Sequence, residues 1–236
     1  MTGIETGATL LKVGVTMIQR AAPGGIALLK SWFKGKEIMI VGQPRAGKTT
    51  FIDYFHYGLF EGEKETDKTK EVVRSARFDI KMGRDAALEM IVKSVVDVPG
   101  QVGPIEHAKL VFERRPHAVV IFTDLTRPLR GESDRASAAW VQEFCRTLES
   151  RWRANRKRTN RVRTMVLVMN KCDNVDEKKV VSCKQAFRKI LDAELREARG
   201  LMLDEIAIMP CALITNPDGT KMVDSVIAHL AKALAR

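Results

Sequence analysis

Short apolar runs alternate with longer amphipathic stretches along most of this chain. The runs predict strands, and apolar residues spaced three or four positions apart between them predict helices. The predicted strands cover residues 37–41, 72–82, 87–96, 117–122, 164–169 and 205–210, and the predicted helices cover residues 48–57, 133–154, 176–198 and 220–235. Alternating, strongly apolar strands are typical of a parallel sheet covered on both faces. We therefore predict a three-layer α/β fold with a mostly parallel six-stranded sheet.

The first 36 residues precede this alternation. Helical and strand spacing fit residues 11–18 equally well, and Pro23-Gly24-Gly25 then breaks the chain. After the break, Trp32 and Phe33 lie on one helical face, with lysines nearby in the sequence. We divide the chain into a basic amphipathic N-terminal extension, residues 1–36, and one domain, residues 37–236.

Composition narrows the class of protein. The chain has 236 residues, of which 45% are hydrophobic and 29% charged, which excludes a disordered, collagen-like or disulfide-rich chain. Its longest apolar runs, residues 118–122 and 165–169, are too short to span a membrane. The formal net charge of +11 favours anionic partners.

The four cysteines show no CxxC spacing, which favours a reducing compartment and makes a zinc site improbable. With no secretion signal visible, we expect a cytoplasmic protein.

The strongest chemical signal is a glycine-bearing turn between the first strand and the first helix. Its sequence matches GxxxxGK[ST] in the context that makes this pattern specific for phosphate binding. Backbone N–H groups of such a loop and of the helix after it converge on a phosphate chain, a lysine reaches the outer phosphates, and a hydroxyl ligates Mg²⁺. The predicted phosphate-binding residues are Gly42, Gln43, Pro44, Arg45, Ala46, Gly47, Lys48, Thr49 and Thr50, with Thr49 on the metal.

Two residues distinguish this phosphate loop. Pro44 has no N–H and therefore donates nothing to a phosphate. The side chain of Arg45 could either lie over the phosphates or face solvent, and we favour the second interpretation.

A second motif, Asp97-Val98-Pro99-Gly100-Gln101, follows the third predicted strand. A carboxylate at a strand end can hold Mg²⁺, and Gly100 can offer its N–H to a γ-phosphate. Gln101 carries both a donor and an acceptor, as the orientation of a hydrolytic water requires. The alternative is a Pro-Gly turn capped by Asp97.

A third motif, Asn170-Lys171-Cys172-Asp173, follows the strand at 164–169. The carboxylate of Asp173 can accept from the two neighbouring N–H groups of guanine, whereas adenine offers no such pair of donors. The stem of Lys171 can cover the base, and Asn170 can join this loop to the phosphate loop. A weaker candidate for base contact is the segment Cys211, Ala212 and Leu213 after the last strand.

These three motifs in this order resemble the Ras-like small GTPases over residues 37–236. Within that group, the DVPGQ motif and residues 65–69 look most similar to bacterial members, including the MglA polarity GTPases. The resemblance implies a Ras-like fold, GTP/GDP switching with Mg²⁺, and a threonine of the first switch loop on the metal. By position that residue is Thr69, with Thr66 as the alternative. The implied metal ligands are Thr49, Thr69 and Asp97, and the implied catalytic residues are Gln101, Lys48 and Thr69.

Hydrolysis is expected to be slow without help. MglA-like loops carry an arginine just before the switch threonine, where this chain has Lys68, which lacks the planar fork of arginine. We therefore expect an activating protein and an effector, both acting through residues 61–71 and 97–115. A nucleotide-bound scaffold with little turnover is the competing hypothesis, and Asp173 opposes a third, an ATP-dependent kinase or ATPase.

Two basic segments lie outside the motifs. Residues 151–163 are dense in arginine and lysine and contain no acid, and three interpretations stay open: cations at a helix end, an anionic membrane or protein surface, and nucleic acid. Nucleic acid is the least favoured because Trp152 is the only aromatic residue there for stacking. The extension 1–36 could lie on an anionic membrane or pack on the domain, so peripheral attachment at the inner membrane surface stays an alternative to a purely cytoplasmic location.

Overall fold

The computed structural model describes residues 36–57, 73–74, 78–80, 90–97, 102–132, 136–155, 162–198, 203–214 and 217–235. Its strands are β1 (Lys36–Gly42), β2 (Val73–Arg74), β3 (Phe78–Ile80), β4 (Met90–Asp97), β5 (Ala118–Asp124), β6 (Thr164–Asn170) and β7 (Glu205–Pro210). Its helices are α1 (Lys48–Tyr57), α2 (Pro104–Arg114), α3 (Ser137–Ala154), α4 (Glu177–Glu194) and α5 (Pro217–Ala235), with a 3₁₀ turn at Cys172–Asn174. All but the last residue of the predicted extension lies outside these ranges.

The described strands form one sheet in the order β2-β4-β1-β5-β6-β7, and β3 also pairs with β4. Strands β4, β1, β5, β6 and β7 run parallel, whereas β2 and β3 are antiparallel to β4. The two short strands occupy the place of the single strand predicted at 72–82, and residues 75–77 between them are not described. The sheet is therefore six positions wide, with a parallel body and an antiparallel edge.

The core has two halves because successive side chains of each strand point to opposite faces of the sheet. Met39 and Val41 belong to a cluster with α2, α3 and α4, whereas Ile38 and Ile40 belong to a cluster with α1 and α5. Strands β5 and β6 are buried at every position, as strands covered on both faces must be. This is the predicted three-layer α/β arrangement.

Helix α2 is absent from our prediction, and its local signals explain why it forms. Pro104 stands at its start, where a missing N–H costs nothing, and Glu106 lies in its first turn. Arg115 ends it in the left-handed conformation, at φ 52°. The helix buries an apolar stripe that includes Ala108, Val111 and Phe112. Eleven residues is a short window, and Pro104 directly after a glycine is also a turn signal.

Helix α3 starts at Ser137, four residues after its predicted start. Two further helix limits differ from our prediction for identifiable reasons. Helix α5 starts at Pro217, three residues before the predicted start, because proline suits the first helical position. Helix α4 stops at Glu194, four residues short of its predicted end. The carboxylate of Glu149 on α3 accepts from the N–H groups of Glu197 and Ala198 at 3.0 and 3.2 Å, so those groups are turned away from the helix. Within the described ranges, no helix combines the length and apolarity that crossing a bilayer requires.

Candidate functional site

Three of the predicted site segments, those after β1, β6 and β7, lie at one edge of the sheet. Strands β1, β6 and β7 are parallel to their neighbours, so the loops that follow them leave from the same end. The loops also touch: a Cβ built on Gly47 would lie 2.4 Å from Asn170 Nδ2 and 2.7 Å from Leu213 Cδ1. Only glycine leaves room for this junction of the three loops.

The phosphate loop, residues 42–49, has the backbone that its glycines permit. Gly42 adopts φ +139°, and a Cβ there would lie 2.2 Å from the carbonyl oxygen of Phe122 on β5. Gly47 adopts φ +92°, and α1 begins at the next residue. Arg45 has φ 60° and is exposed, in agreement with the interpretation that its side chain faces solvent. Thr49 and Thr50 are half-buried in the first turn of α1.

This loop keeps donors available for an anion. Within the described residues, the N–H groups of Arg45 and Gly47 have no hydrogen-bond acceptor. Helix α1 begins at Lys48, directly after this loop. The ammonium of Lys48 is buried and donates to the carbonyl oxygens of Gly42 and Gln43 at 3.1 and 2.9 Å. A buried cation and two N–H groups without acceptors therefore lie within one short loop, a composition that fits a phosphate group.

Side chains from four other elements hold the phosphate loop from outside. Asn170 Nδ2, at the end of β6, donates to the carbonyl oxygen of Ala46 at 2.9 Å. Arg127 Nη2, after β5, donates to the carbonyl oxygen of Pro44 at 2.8 Å. The loop is thus bonded to two strands besides its own, and its shape depends on contacts distant in sequence.

The other two supports come from helices. His107 Nδ1 on α2 accepts from the N–H of Gly42 at 3.4 Å, and its ring stands edge-on to Trp140 with the ring centroids 5.3 Å apart. Ser137 Oγ, at the start of α3, donates to Gln43 Oε1 at 3.1 Å and to the carbonyl oxygen of Asp124 at 2.9 Å. Gln43 as a whole is buried, and its N–H donates to the carbonyl oxygen of Phe122 at 3.4 Å.

Asp124 ends β5 beside Asn170 and was not among the residues that the sequence singled out. Its Oδ2 lies 2.7 Å from Lys171 Nζ, and its Oδ1 accepts from the N–H and hydroxyl of Thr126 at 2.9 and 2.6 Å. Burial alone would raise the pKa of this carboxyl, but the hydrogen bonds from Lys171 and Thr126 outweigh burial and lower the pKa below its usual range. Asp124 is therefore an ionised carboxylate within the site at neutral pH.

The predicted base loop leaves its acceptor accessible. Asp173 is exposed, and Lys171 adopts the left-handed conformation with φ 61° while its ammonium reaches Asp124. Asn170 Oδ1 is buried without a hydrogen-bond partner within the described residues, so an acceptor is available where the loops meet. The loop is also tied to the chain after β7, because the N–H of Cys172 donates to the carbonyl oxygen of Cys211 at 3.2 Å.

The two cysteines of this region have raised pKa values. Burial, followed by the nearby Cys172, raises the pKa of the Cys211 thiol to about 12. Burial, followed by the charge of Asp173, also raises the pKa of Cys172. Both thiols are therefore protonated at neutral pH, the form that is the poorer nucleophile.

Several predicted residues are placed only in part or not at all. Asp97 is the last residue of β4 and pairs in register with Ile40, next to the start of the phosphate loop. Gly100, Gln101 and Thr69 lie outside the described residues. The same holds for all of residues 61–71 and for 98–101 within the segment 97–115.

The basic segment 151–163 is described at its two ends. Trp152 is buried, with 4% of its surface exposed, so it cannot stack on a nucleic acid base. Arg153 pairs with Glu197 at 3.2 Å, and α3 ends at the next residue. These contacts agree with the interpretation of cations at a helix end, whereas residues 156–161 are not described.

Sequence reasoning missed four residues of this site: His107, Asp124, Arg127 and Ser137. A signal existed for Asp124, since it ends a buried strand at the same edge as Asp97 and Asn170. Our predicted strand stopped at Phe122 because Thr123 is polar. That hydroxyl is buried and donates to the carbonyl oxygen of Val168 at 3.2 Å, which lets the strand continue to Asp124.

Comparison with known proteins supports the fold. No family model and no curated protein matches the chain. The structure is similar to the crystal structure of a bacterial selenocysteine-specific elongation factor, EF-Sec, with a TM-score of 0.52 and 14% identity over 84% of this chain and 28% of that one. A translation elongation factor SelB from Methanococcus maripaludis, in complex with the GTP analogue GppNHp, gives a TM-score of 0.48 and 16% identity over 84% of this chain and 34% of that one.

The chain spans about a third of the length of either elongation factor. The similarity to EF-Sec shows the fold, an α/β domain with a parallel sheet and helices on both faces. Neither comparison points to the MglA group.

Proposed function

We propose that this chain is a small GTPase of the Ras-like type, a molecular switch that binds GTP and GDP with Mg²⁺ and hydrolyses GTP slowly. The observation that carries the proposal is the junction of the three loops at Gly47, Asn170 and Leu213. A phosphate loop, a base loop and the segment after β7 are the three parts that a guanine nucleotide needs, and they meet at one sheet edge. Ligands of parallel α/β sheets bind at that edge.

The triphosphate is bound by the phosphate loop in this proposal. The unpaired N–H groups of Arg45 and Gly47 and the buried ammonium of Lys48 supply positive potential at one point. Pro44 has no N–H to donate, so the phosphates would be bound by the donors of the neighbouring residues.

Thr49, Asp97 and the switch threonine Thr69 would hold the magnesium ion. A hydroxyl and a carboxylate are hard oxygen ligands of the kind Mg²⁺ prefers. Bound there, the ion neutralises phosphate charge, and Gln101 orients the attacking water. Lys48 stabilises the charge of the transferred phosphoryl group.

Guanine is selected by Asp173, whose exposed carboxylate has both oxygens available for two adjacent N–H donors. Lys171 lies across the same loop with its ammonium on Asp124, so its stem is fixed rather than free to move. The unsatisfied Oδ1 of Asn170 adds an acceptor at the same place.

A nucleotide-bound scaffold with little turnover is the second candidate. Pro44 favours the scaffold, because it has no N–H to donate to a phosphate. Its carbonyl oxygen accepts a hydrogen bond from Arg127. Lys68 in place of an arginine favours it as well. Single-turnover hydrolysis by wild type and Gln101→Ala separates the candidates: a slow rate that falls in the variant supports the GTPase, and equal background rates support the scaffold.

The activating protein and effector are proposed to bind residues 61–71 and 97–115, beside the γ-phosphate position. Ile105 on α2 gives this surface an exposed apolar side chain. An anionic membrane or an acidic protein remains the proposed partner of the extension 1–36 and of residues 151–163. Vesicle sedimentation of the chain with and without residues 1–36 tests the first of these contacts.

Nucleotide identity tests the proposal directly. The chain is purified without added nucleotide and denatured, and the released small molecules are separated by chromatography beside GDP, GTP, ADP and ATP standards. GDP or GTP in near-equimolar amount supports the proposal. Adenine nucleotides, or no nucleotide together with no heat on calorimetric titration of GDP and GTP, contradict it.

Lys48→Ala is the matched variant for this measurement. Loss of the ammonium should abolish nucleotide retention if the phosphate loop is the binding site. Circular dichroism of Lys48→Ala controls for unfolding, since the ammonium also bonds two loop carbonyls. Full retention by a folded variant would rule out this site.

A further inference from the structure

The carboxylate of Asp124 lies between two cations. Its Oδ2 is 2.7 Å from Lys171 Nζ and 4.0 Å from Arg127 Nε. Thr126 fixes the other oxygen with two hydrogen bonds, and only 5% of the Asp124 side chain is exposed. A rigid, nearly buried anion therefore faces both cations.

The two cations belong to different parts of the proposed nucleotide site. Lys171 is the second residue of the base loop, whereas Arg127 donates to the carbonyl oxygen of Pro44 in the phosphate loop at 2.8 Å. The hydroxyl of Ser137 adds a further connection, because it lies within hydrogen-bond distance of both the backbone carbonyl oxygen of Asp124 and Gln43 Oε1. Asp124 is thus connected to the base loop by one route and to the phosphate loop by two.

The electrostatics make this carboxylate more than a surface ion pair. Charge-assisted hydrogen bonds are about twice as strong as neutral ones, and burial limits screening. Without the carboxylate, the ammonium of Lys171 and the guanidinium of Arg127 would lose the anion that they share. Their mutual repulsion would then be uncompensated, so both loops would shift.

We propose that Asp124 is a positioning residue that couples the base loop to the phosphate loop through Lys171 and Arg127 and thereby slows release of a bound guanine nucleotide. The inference rests on the proposed function, because it needs a nucleotide in the site. Asp124 contacts neither base nor phosphate in this arrangement. It acts by holding the two cations.

The test measures release of a fluorescent GDP from the full chain. Asp124→Asn keeps the shape of the side chain and removes its charge, so release should become about tenfold faster, the effect of losing one charge-assisted hydrogen bond. Glu194→Gln is the matched control, since it breaks the 2.9 Å pair with Arg146 on the α3–α4 surface, and it should release GDP at the wild-type rate.

A double-mutant cycle separates coupling from general loss of stability. Lys171→Met and Arg127→Met are compared alone and together, first with Asp124 present and then in Asp124→Asn. With Asp124 present, the double variant should differ from the product of the single effects by about threefold or more. In the Asp124→Asn background the two effects should simply multiply. Multiplicative effects in both backgrounds would overturn the coupling.

The outcomes distinguish this inference from the proposed function. If the wild type retains no GDP, the proposed function fails and the inference fails with it. If the wild type retains GDP and folded Asp124→Asn releases it at the wild-type rate, the inference alone fails. Should Asp124→Asn not fold, Thr126→Val removes only the hydroxyl bond to the same carboxylate and leaves the bond from the Thr126 N–H in place. It should speed release about threefold, whereas an unchanged rate overturns the inference.

Discussion

The side-chain amide of Asn170 is hydrogen-bonded to the carbonyl oxygen of Ala46 at 2.9 Å, although 124 positions separate the two residues in the sequence. The bond joins the end of β6 to the middle of the phosphate loop. Because it uses the Nδ2 donor, it leaves the Oδ1 acceptor buried and unpaired within the described residues. One side chain thus supports the phosphate loop and offers a further contact to a ligand.

Replacing Asn170 should weaken guanine nucleotide binding. Asn170→Ala removes the bond to Ala46 and should cost about 1–2 kcal/mol of binding free energy, or roughly tenfold in affinity. Calorimetric titration with GDP measures it. The exposed Asn174, in the 3₁₀ turn of the same loop, gives the control Asn174→Ala, which should bind GDP like the wild type. Equal affinities for both variants would contradict the role of Asn170.

Gly47→Ala should damage the same junction from the other side. A methyl group would overlap Asn170 Nδ2 and Leu213 Cδ1, and alanine is strained at φ +92°. We expect a loss of about 1–3 kcal/mol in the free energy of unfolding, with weaker GDP binding. Gly103→Ala is the control, because no atom lies within 4 Å of a Cβ there and the backbone is extended. Its cost should stay below about 1 kcal/mol in urea denaturation. Similar losses in both variants would show that the junction is not tight.

Asp173→Asn should change which base is preferred. Guanine presents N–H donors to the carboxylate, whereas xanthine presents a carbonyl where guanine has its amino group, and an amide can donate to it. The variant should therefore lose affinity for GDP and gain affinity for xanthosine diphosphate. Competition between the two diphosphates for a fluorescent analogue measures the change. An unaltered preference for GDP would contradict the assignment of Asp173.

The hydroxyl of Tyr54 joins the two helices on one face of the sheet. It donates from α1 to Asp224 Oδ1 on α5 at 2.9 Å, and both side chains are buried. Tyr54→Phe should lower the free energy of unfolding by about 1–3 kcal/mol, the cost of removing one partner of a buried hydrogen bond. Ser225→Ala on α5, which removes an exposed hydroxyl bonded to Lys221, should change it by less than about 0.5 kcal/mol. Equal urea midpoints for the two variants would refute the prediction.

The lowered pKa of Asp124 predicts how its contribution to stability depends on pH. Burial raises this pKa, but the hydrogen bonds from Lys171 and Thr126 lower it by more than burial raises it. The folded value therefore lies below the unfolded value of about 3.9. The stabilisation is therefore complete above about pH 4 and is lost as the pH falls through the folded value. The difference between wild type and Asp124→Asn in urea denaturation should stay constant from pH 7 to pH 5 and narrow below pH 4. A difference that already narrows between pH 7 and pH 5 would contradict the assignment.

The parts of the fold that follow from local pattern were predictable. Strand β7 has the predicted bounds and β6 differs by one residue, because each is a short, mostly apolar run. The phosphate loop was predictable since its glycines and lysine lie within one short segment. Helix α2 was not, because eleven residues with a proline at the start give a weak helical period.

The supports of the site could not be read from the sequence. Arg127 lies 83 positions from Pro44, and His107 lies 65 positions from Gly42, so no spacing rule connects them. Asp124 was within reach of the strand-end rule, but the buried Thr123 disguised the end of the strand. Local pattern thus located the loops, whereas the side chains that hold them depend on three-dimensional packing.

The central place of β1 determines when the site can assemble during synthesis. Its neighbours in the sheet, β4 and β5, are both made later than β1 itself, and β5 ends only at Asp124. A nascent chain that stops before Asp124 therefore holds a complete GxxxxGKT sequence without the strand against which Gly42 packs. Such non-local pairing folds slowly, and the unpaired edges of β1 are exposed in the meantime. About half of the polypeptide, up to the end of β5, must therefore be synthesised before β1 has both of its neighbours.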